Sequence, residues 1–207
     1  MSDIEHNLPD GDPGAFETLV LGIGNVLWAD EGFGIRAAEA FNARYILPPQ
    51  VRVMDGGTQG IFLLPWVRNA KRLLMFDAVD FNLEPGTLKL VRNEDVPCYM
   101  GAKKVSMHQA GFQEVLSSAT LSGELPPEMA LVGVQPELLD DYGGSLTDVV
   151  RARVGEAVEL ACEVLRGWGV LVTPREAPLA GPDHIGPGAL DIRDYEQGRP
   201  QFPGDQQ

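Results

Sequence analysis

The segment Thr18–Gly34 (TLVLGIGNVLWADEGFG) constrains the fold more than any other stretch of the chain. Thr18 to Leu21 are β-branched or apolar without alternation, the pattern of a strand covered on both faces. Gly22 and Gly24 allow the backbone to turn sharply or to approach another backbone closely. Asp30 and Glu31 follow where a helix opens, and open α/β sheets bind their ligands there, beyond the carboxyl ends of the strands. If the chain has chemistry, Glu31 is expected near it.

The rest of the chain repeats this rhythm. The first helix is expected from Gly32 or Phe33 to Tyr45, stopped by Pro48 and Pro49. A second strand, Val51–Met54, closes at Asp55-Gly56-Gly57-Thr58, and a helix covers about 60–67. A third strand, Arg72–Phe76, ends at Asp77. Only residues 78–86 then separate it from Thr87–Val91, too few for a crossover helix, so the fourth strand is expected to be an antiparallel partner. A loop from Arg92 to Met107 leads to a helix over about 108–119, with Phe112, Val115 and Leu116 on one face. Ala130–Val134 is a fifth strand. Thr147 is placed to cap the longest helix, running to about Trp168, and Val170–Val172 to add a short edge strand. The expected fold is an α/β three-layer sandwich: a mostly parallel twisted sheet of about five strands, one antiparallel, between helices.

Residues 1–16 carry Pro9, Gly11, Pro13 and Gly14 among acids and read as a flexible arm. The 34 residues from Pro174 hold six prolines and five glycines with little apolar periodicity, so 175–207 reads as a disordered tail. Between them, 17–174 forms a single domain. A formal net charge of −14 argues against nucleic acid and against an anionic membrane surface. No signal peptide or membrane span is read in the sequence, so a cytoplasmic protein is the expectation. Cys98 and Cys162 form no CxxC pair, so neither a thiol-rich zinc site nor a disulfide framework is indicated, and the chain is expected to be a monomer.

Three acids close strands or the turns after them: Glu31, Asp55 and Asp77. Carboxylates gathered at one sheet edge repel unless a cation or proton intervenes. His6 and His184 lie in the two tails, which leaves His108 at the start of a helix in the folded part. Two carboxylates and an imidazole suit a hard-to-borderline divalent metal with positions left open. The plainer alternative is that such acids only cap helices and that His108 is structural. A dinucleotide fingerprint fails at Leu27, where its third glycine belongs. No Walker loop, HExxH pair or GxSxG elbow occurs, and nothing flanking Cys98 supports it as a nucleophile.

At these residues the chain resembles the hydrogenase maturation endopeptidases, which trim the C-terminal extension of nickel–iron hydrogenase large subunits. The resemblance spans about 19–174. It rests on Gly22-Ile23-Gly24-Asn25, Asp30-Glu31-Gly32-Phe33-Gly34, Asp55-Gly56-Gly57-Thr58, Phe76-Asp77-Ala78, Met107-His108-Gln109 and Leu131-Val132-Gly133-Val134-Gln135-Pro136, in that order. It implies that Glu31, Asp77 and His108 bind a metal, and that this metal is the nickel already inserted in the precursor, read as a sign that assembly is ready for cleavage. A surrogate divalent cation would serve the isolated protein. The resemblance puts Asp55 in a segment of the substrate cleft; in a variant of this reading nickel is only a positional anchor and a carboxylate such as Asp55 is the general base. The partner is the large-subunit precursor, with specificity expected in loops such as 93–105 and 135–146. The competing reading is a non-cleaving, metal-sensing assembly chaperone using the same ligands.

Overall fold

The computed structural model describes residues 16–102, 107–179 and 185. The expected first strand is β1 (Thr18–Ile23), buried at every residue. Its neighbours are β3 (Val51–Gly57) and β4 (Arg72–Ala78), both parallel to it. Beyond β4 lie β6 (Glu128–Val134), also parallel, and β5 (Leu88–Arg92), antiparallel, giving a sheet of order β3-β1-β4-β6-β5. The expected fold class is therefore borne out, with five strands and one antiparallel pair.

The antiparallel strand takes a different neighbour from the one next to it in sequence. β5 hydrogen-bonds to β6, which inserts between β4 and β5. β6 is buried at all but its first residue and needs partners on both edges, whereas β5 is half-exposed along most of its length and tolerates the rim. The segment 79–87 spans the inserted strand: Val79 N donates to Val134 O, Gly86 N to Gln135 O, and Gln135 N to Thr87 O.

Helices cover both faces. On one, α1 (Phe33–Arg44) and α6 (Val154–Gly167) pack Phe33, Phe41, Ala161 and Leu165 against Val20, Leu74, Phe76 and Val132. On the other, α2 (Leu64–Asn69), α3 (Asp95–Ala102) and α4 (Met107–Ser122) cover Leu21, Ile23, Leu73, Met75 and Leu131, with Val67, Val96, Phe112 and Val115 at the contact. Gly34 seats α1 on the sheet. A Cβ there would collide with the carbonyl oxygens of Ile23 and Phe76, so only glycine lets the helix meet the ends of β1 and β4.

Several boundaries differ from expectation. α1 stops at Arg44 because Tyr45–Ile46 (β2) pairs with Thr173–Pro174 (β7); Val170 and Val172 fill the core instead of forming a strand. The loop expected over 92–107 holds α3, whose Pro97 sits in the first turn, where a missing N–H is tolerated. Helix 60–67 is a 3-10 turn, Gly60–Leu63, continued by α2. The stretch expected as the longest helix is split into α5 (Asp148–Arg151) and α6, so α4 is longer than either. Thr147 makes no side-chain cap; its hydroxyl is used elsewhere. Arg175 and Leu179 donate to the carbonyls of Arg44 and Ala43. Nearly all of the expected arm and most of the expected tail, with His6 and His184, lie outside the described residues. No helix among the described residues is long and apolar enough to cross a membrane.

Candidate active site at the carboxyl edge of the sheet

The parallel strands deliver their carboxyl ends to one edge, and the acidic loop folds back over it. Gly24, at φ 138°, releases the chain from β1. Asn25 then closes the loop: its Oδ1 accepts from Leu27 N at 3.0 Å and its N–H donates to Glu31 O at 3.1 Å. Glu31 N donates in turn to Trp28 O, and a 3-10 turn over Ala29–Gly32 lies against the end of β4. Glu31 is thereby buried beside the strand that carries Asp77, itself fully buried.

Register fixes the side on which each acid lies. Gly22 pairs with Asp55 on one side and with Phe76 on the other, so those three share a row and a face, the face covered by α1. Asp77, one residue further, belongs with Leu73 and Met75 on the face covered by α4. His108 lies in the first turn of α4, which packs on the 3-10 turn 60–63 and reaches β1; its side chain lies outside what is described. Two of the three expected ligands, Glu31 and Asp77, thus meet at one edge, and the backbone brings the start of α4 to the same face. Among the described residues no group of three His, Cys, Asp or Glu side chains is placed to hold a metal ion, and His108's imidazole is not among them.

Asp55 occupies a separate environment. It faces the ion pair Arg36–Glu39, 3.0 Å apart and almost wholly buried. Burial, then the negative charge of Glu39, pushes its carboxyl up to about 6, while the Gly57 amide and Arg36 act in the opposite direction. Its Oδ1 has no hydrogen-bond partner among the described residues; nor has Oε1 of Gln59, whose amide donates to Asp55 O at 3.0 Å.

Three residues not among the expected site residues, Asp30, Trp28 and Gln135, build the walls of the edge. Asp30, fully buried, accepts from Glu137 N and Leu138 N through Oδ2, and from Thr147 N through Oδ1. Trp28 bridges to Tyr142 and packs edge-on against its ring, with centroids 5.2 Å apart. Gln135 holds the segment after β4: its Oε1 accepts from Phe81 N at 2.7 Å and Leu83 N at 3.2 Å. Cys98 on α3 is exposed and donates its thiol to Glu94 O just ahead of the helix, and Cys162 is buried.

Comparison with known proteins gives one consistent result. Residues 35–164 match the family model described as hydrogenase maturation protease. A protein of Bradyrhizobium diazoefficiens named hydrogenase expression/formation protein HupD is 53% identical over 178 residues, covering 86% of this chain and 93% of that protein. The hydrogenase 2 maturation protease of Escherichia coli K12 is 44% identical over 160 residues, covering 77% of this chain and 96% of the relative. The solved structure of the hydrogenase maturating endopeptidase HybD from E. coli superposes with a TM-score of 0.73 at 42% identity, covering 77% of this chain and 98% of that one.

Proposed function

The chain belongs to the hydrogenase maturation protease family and is a hydrogenase maturation endopeptidase; we propose that its substrate is a large-subunit precursor already loaded with nickel, and that it reads this nickel through Glu31, Asp77 and His108. The observation that carries the reading is the burial of Glu31 and Asp77 at the carboxyl edge of the sheet, with His108 in the first turn of α4, the helix that covers the face of Asp77. A donor set of two carboxylates and one imidazole suits a borderline divalent cation and leaves positions for the precursor's own ligands.

Nickel arriving with the substrate supplies Lewis acidity toward the scissile carbonyl or toward an attacking water. Glu31 and Asp77 hold the charge at a site already cleared of bulk water, so little reorganisation accompanies the reaction. The arrangement then cuts only when the cation is present, which makes cleavage conditional on assembly. A second reading, in which nickel only anchors the precursor and Asp55 is the general base, is favoured by the Asp55 carboxyl being raised to about 6, close to a working pH. Two free thiols fit a reducing compartment, and we place the reaction in the cytoplasm.

The test is to incubate the protein with nickel-loaded and nickel-free precursor and to weigh the products by mass spectrometry. Loss of a C-terminal peptide from the loaded form alone supports the reading. Cleavage of both forms removes nickel recognition from it, and binding without cleavage replaces the protease by an assembly chaperone.

A further inference from the structure

Asp77 is paired across the sheet with Gly133, and Gly133 with Lys89. The three share one row and one face, so Lys89 stands two strand spacings from Asp77, about 10 Å away. The glycine between them carries no side chain; the Phe81 ring lies where one would be, 2.5 Å from an ideal Cβ. The Lys89 ammonium is 5.2 Å from the centroid of that ring and 4.3 Å from that of Tyr99, to whose hydroxyl it donates at 2.8 Å.

Two things distinguish this lysine. A lysine on an edge strand discourages strand pairing, whether it points outward or inward. The Lys89 ammonium is held over two aromatic rings, Phe81 and Tyr99, which pack edge to face on one another. It also pairs with no carboxylate among the described residues, although Asp80 and Glu84 lie in the same segment as Phe81 and the chain carries a net charge of −14. Only one of its three donors is engaged there, and cation–π contact orients the ammonium without neutralising it.

Resting on the endopeptidase reading above, we propose that Lys89, clamped between Phe81 and Tyr99, binds a carboxylate of the precursor lying about three residues from the scissile bond. An extended chain rises about 3.3 Å per residue, so a peptide cut at the Asp77 end of this row and passing over the Phe81 ring that covers Gly133 brings its third residue near Lys89. The carboxylate belongs either to an Asp or Glu side chain at that distance or to the precursor's own C-terminus. Lys89 is a specificity-determining residue and touches no reacting atom.

The test compares wild type, Lys89→Met and Lys89→Arg, each checked for unchanged thermal unfolding, in binding and cleavage of nickel-loaded precursor. Lys89→Met is expected to raise Kd and KM about tenfold, leave kcat unchanged and flatten the salt dependence of Kd, while Lys89→Arg restores most of the affinity. Two altered precursors identify the source: Asp or Glu near the cut changed to its amide, and a C-terminus lengthened by glycines. The one that abolishes the difference between wild type and Lys89→Met supplied the carboxylate; a difference surviving both overturns the assignment. An unchanged Kd in Lys89→Met overturns it outright, as does failure of wild type to bind. If wild type binds without cutting, the endopeptidase reading fails, and the Kd comparison still decides the role of Lys89.

Discussion

Thr147 places both its amide and its hydroxyl on the carboxylate of Asp30, 117 residues earlier, at 2.8 and 3.0 Å. The other oxygen of the same carboxylate takes the amides of Glu137 and Leu138. One buried side chain thus ties the loop after β6 to the loop after β1, and the two form adjacent walls of the candidate site.

Asp30→Asn turns one acceptor into a donor facing donors. We expect a loss of about 2–4 kcal/mol in denaturant unfolding, against about 1–2 kcal/mol for Thr147→Val, which removes one hydroxyl. Hydrogen exchange should quicken at Leu138 and Thr147 before the strands respond. Protection unchanged at both amides would show that the loop is held by other contacts.

His108→Ala should abolish precursor cleavage while leaving thermal unfolding close to wild type, because the substitution adds no bulk and favours helix. Asp77→Asn should do the same to activity. Cleavage persisting at wild-type rate in either variant would remove that residue from the nickel-binding set.

Asp55 makes stability depend on pH. Its folded value lies above the ordinary 3.8, so the folded chain holds the proton more tightly than the unfolded one. The relative stabilisation is fully present below 3.8 and is lost as pH rises through about 6. The effect has a ceiling of about 3 kcal/mol, reduced by partial exposure of the carboxyl. Asp55→Asn should flatten this part of the profile and be the more stable protein at pH 7; parallel profiles for the two would contradict the assignment. The same variant cleaving at normal rate would exclude Asp55 as the base.

Gly34→Ala forces a methyl group into two carbonyl oxygens at the ends of β1 and β4. Relief requires moving α1, at a cost of about 3 kcal/mol or outright failure to fold. A Tm within a few degrees of wild type, by calorimetry, would mean that the helix shifts more easily than this packing allows.

Much of this was legible beforehand. The unbroken apolar run of β1 announced a central strand, and three acids at strand ends marked the edge where Glu31 and Asp77 meet. The face on which each acid lies was not legible. Asp55 and Asp77 look equivalent in sequence, but parity in the register sends one under α1 and the other under α4. Helix α3 was hidden because Pro97 reads as a loop residue unless it falls in a first turn.

By itself the sequence determined the strand-and-helix order and the family, and pointed to the carboxyl edge as the candidate site, since these depend on local periodicity and on residues close in the chain. The tertiary structure alone decided the insertion of β6 between β4 and β5, the capture of Thr147 by Asp30 and the row linking Asp77 to Lys89. Each depends on groups far apart in sequence, and what brings them together is the burial of β6 on both edges and the satisfaction of a buried carboxylate, neither of which leaves a local pattern.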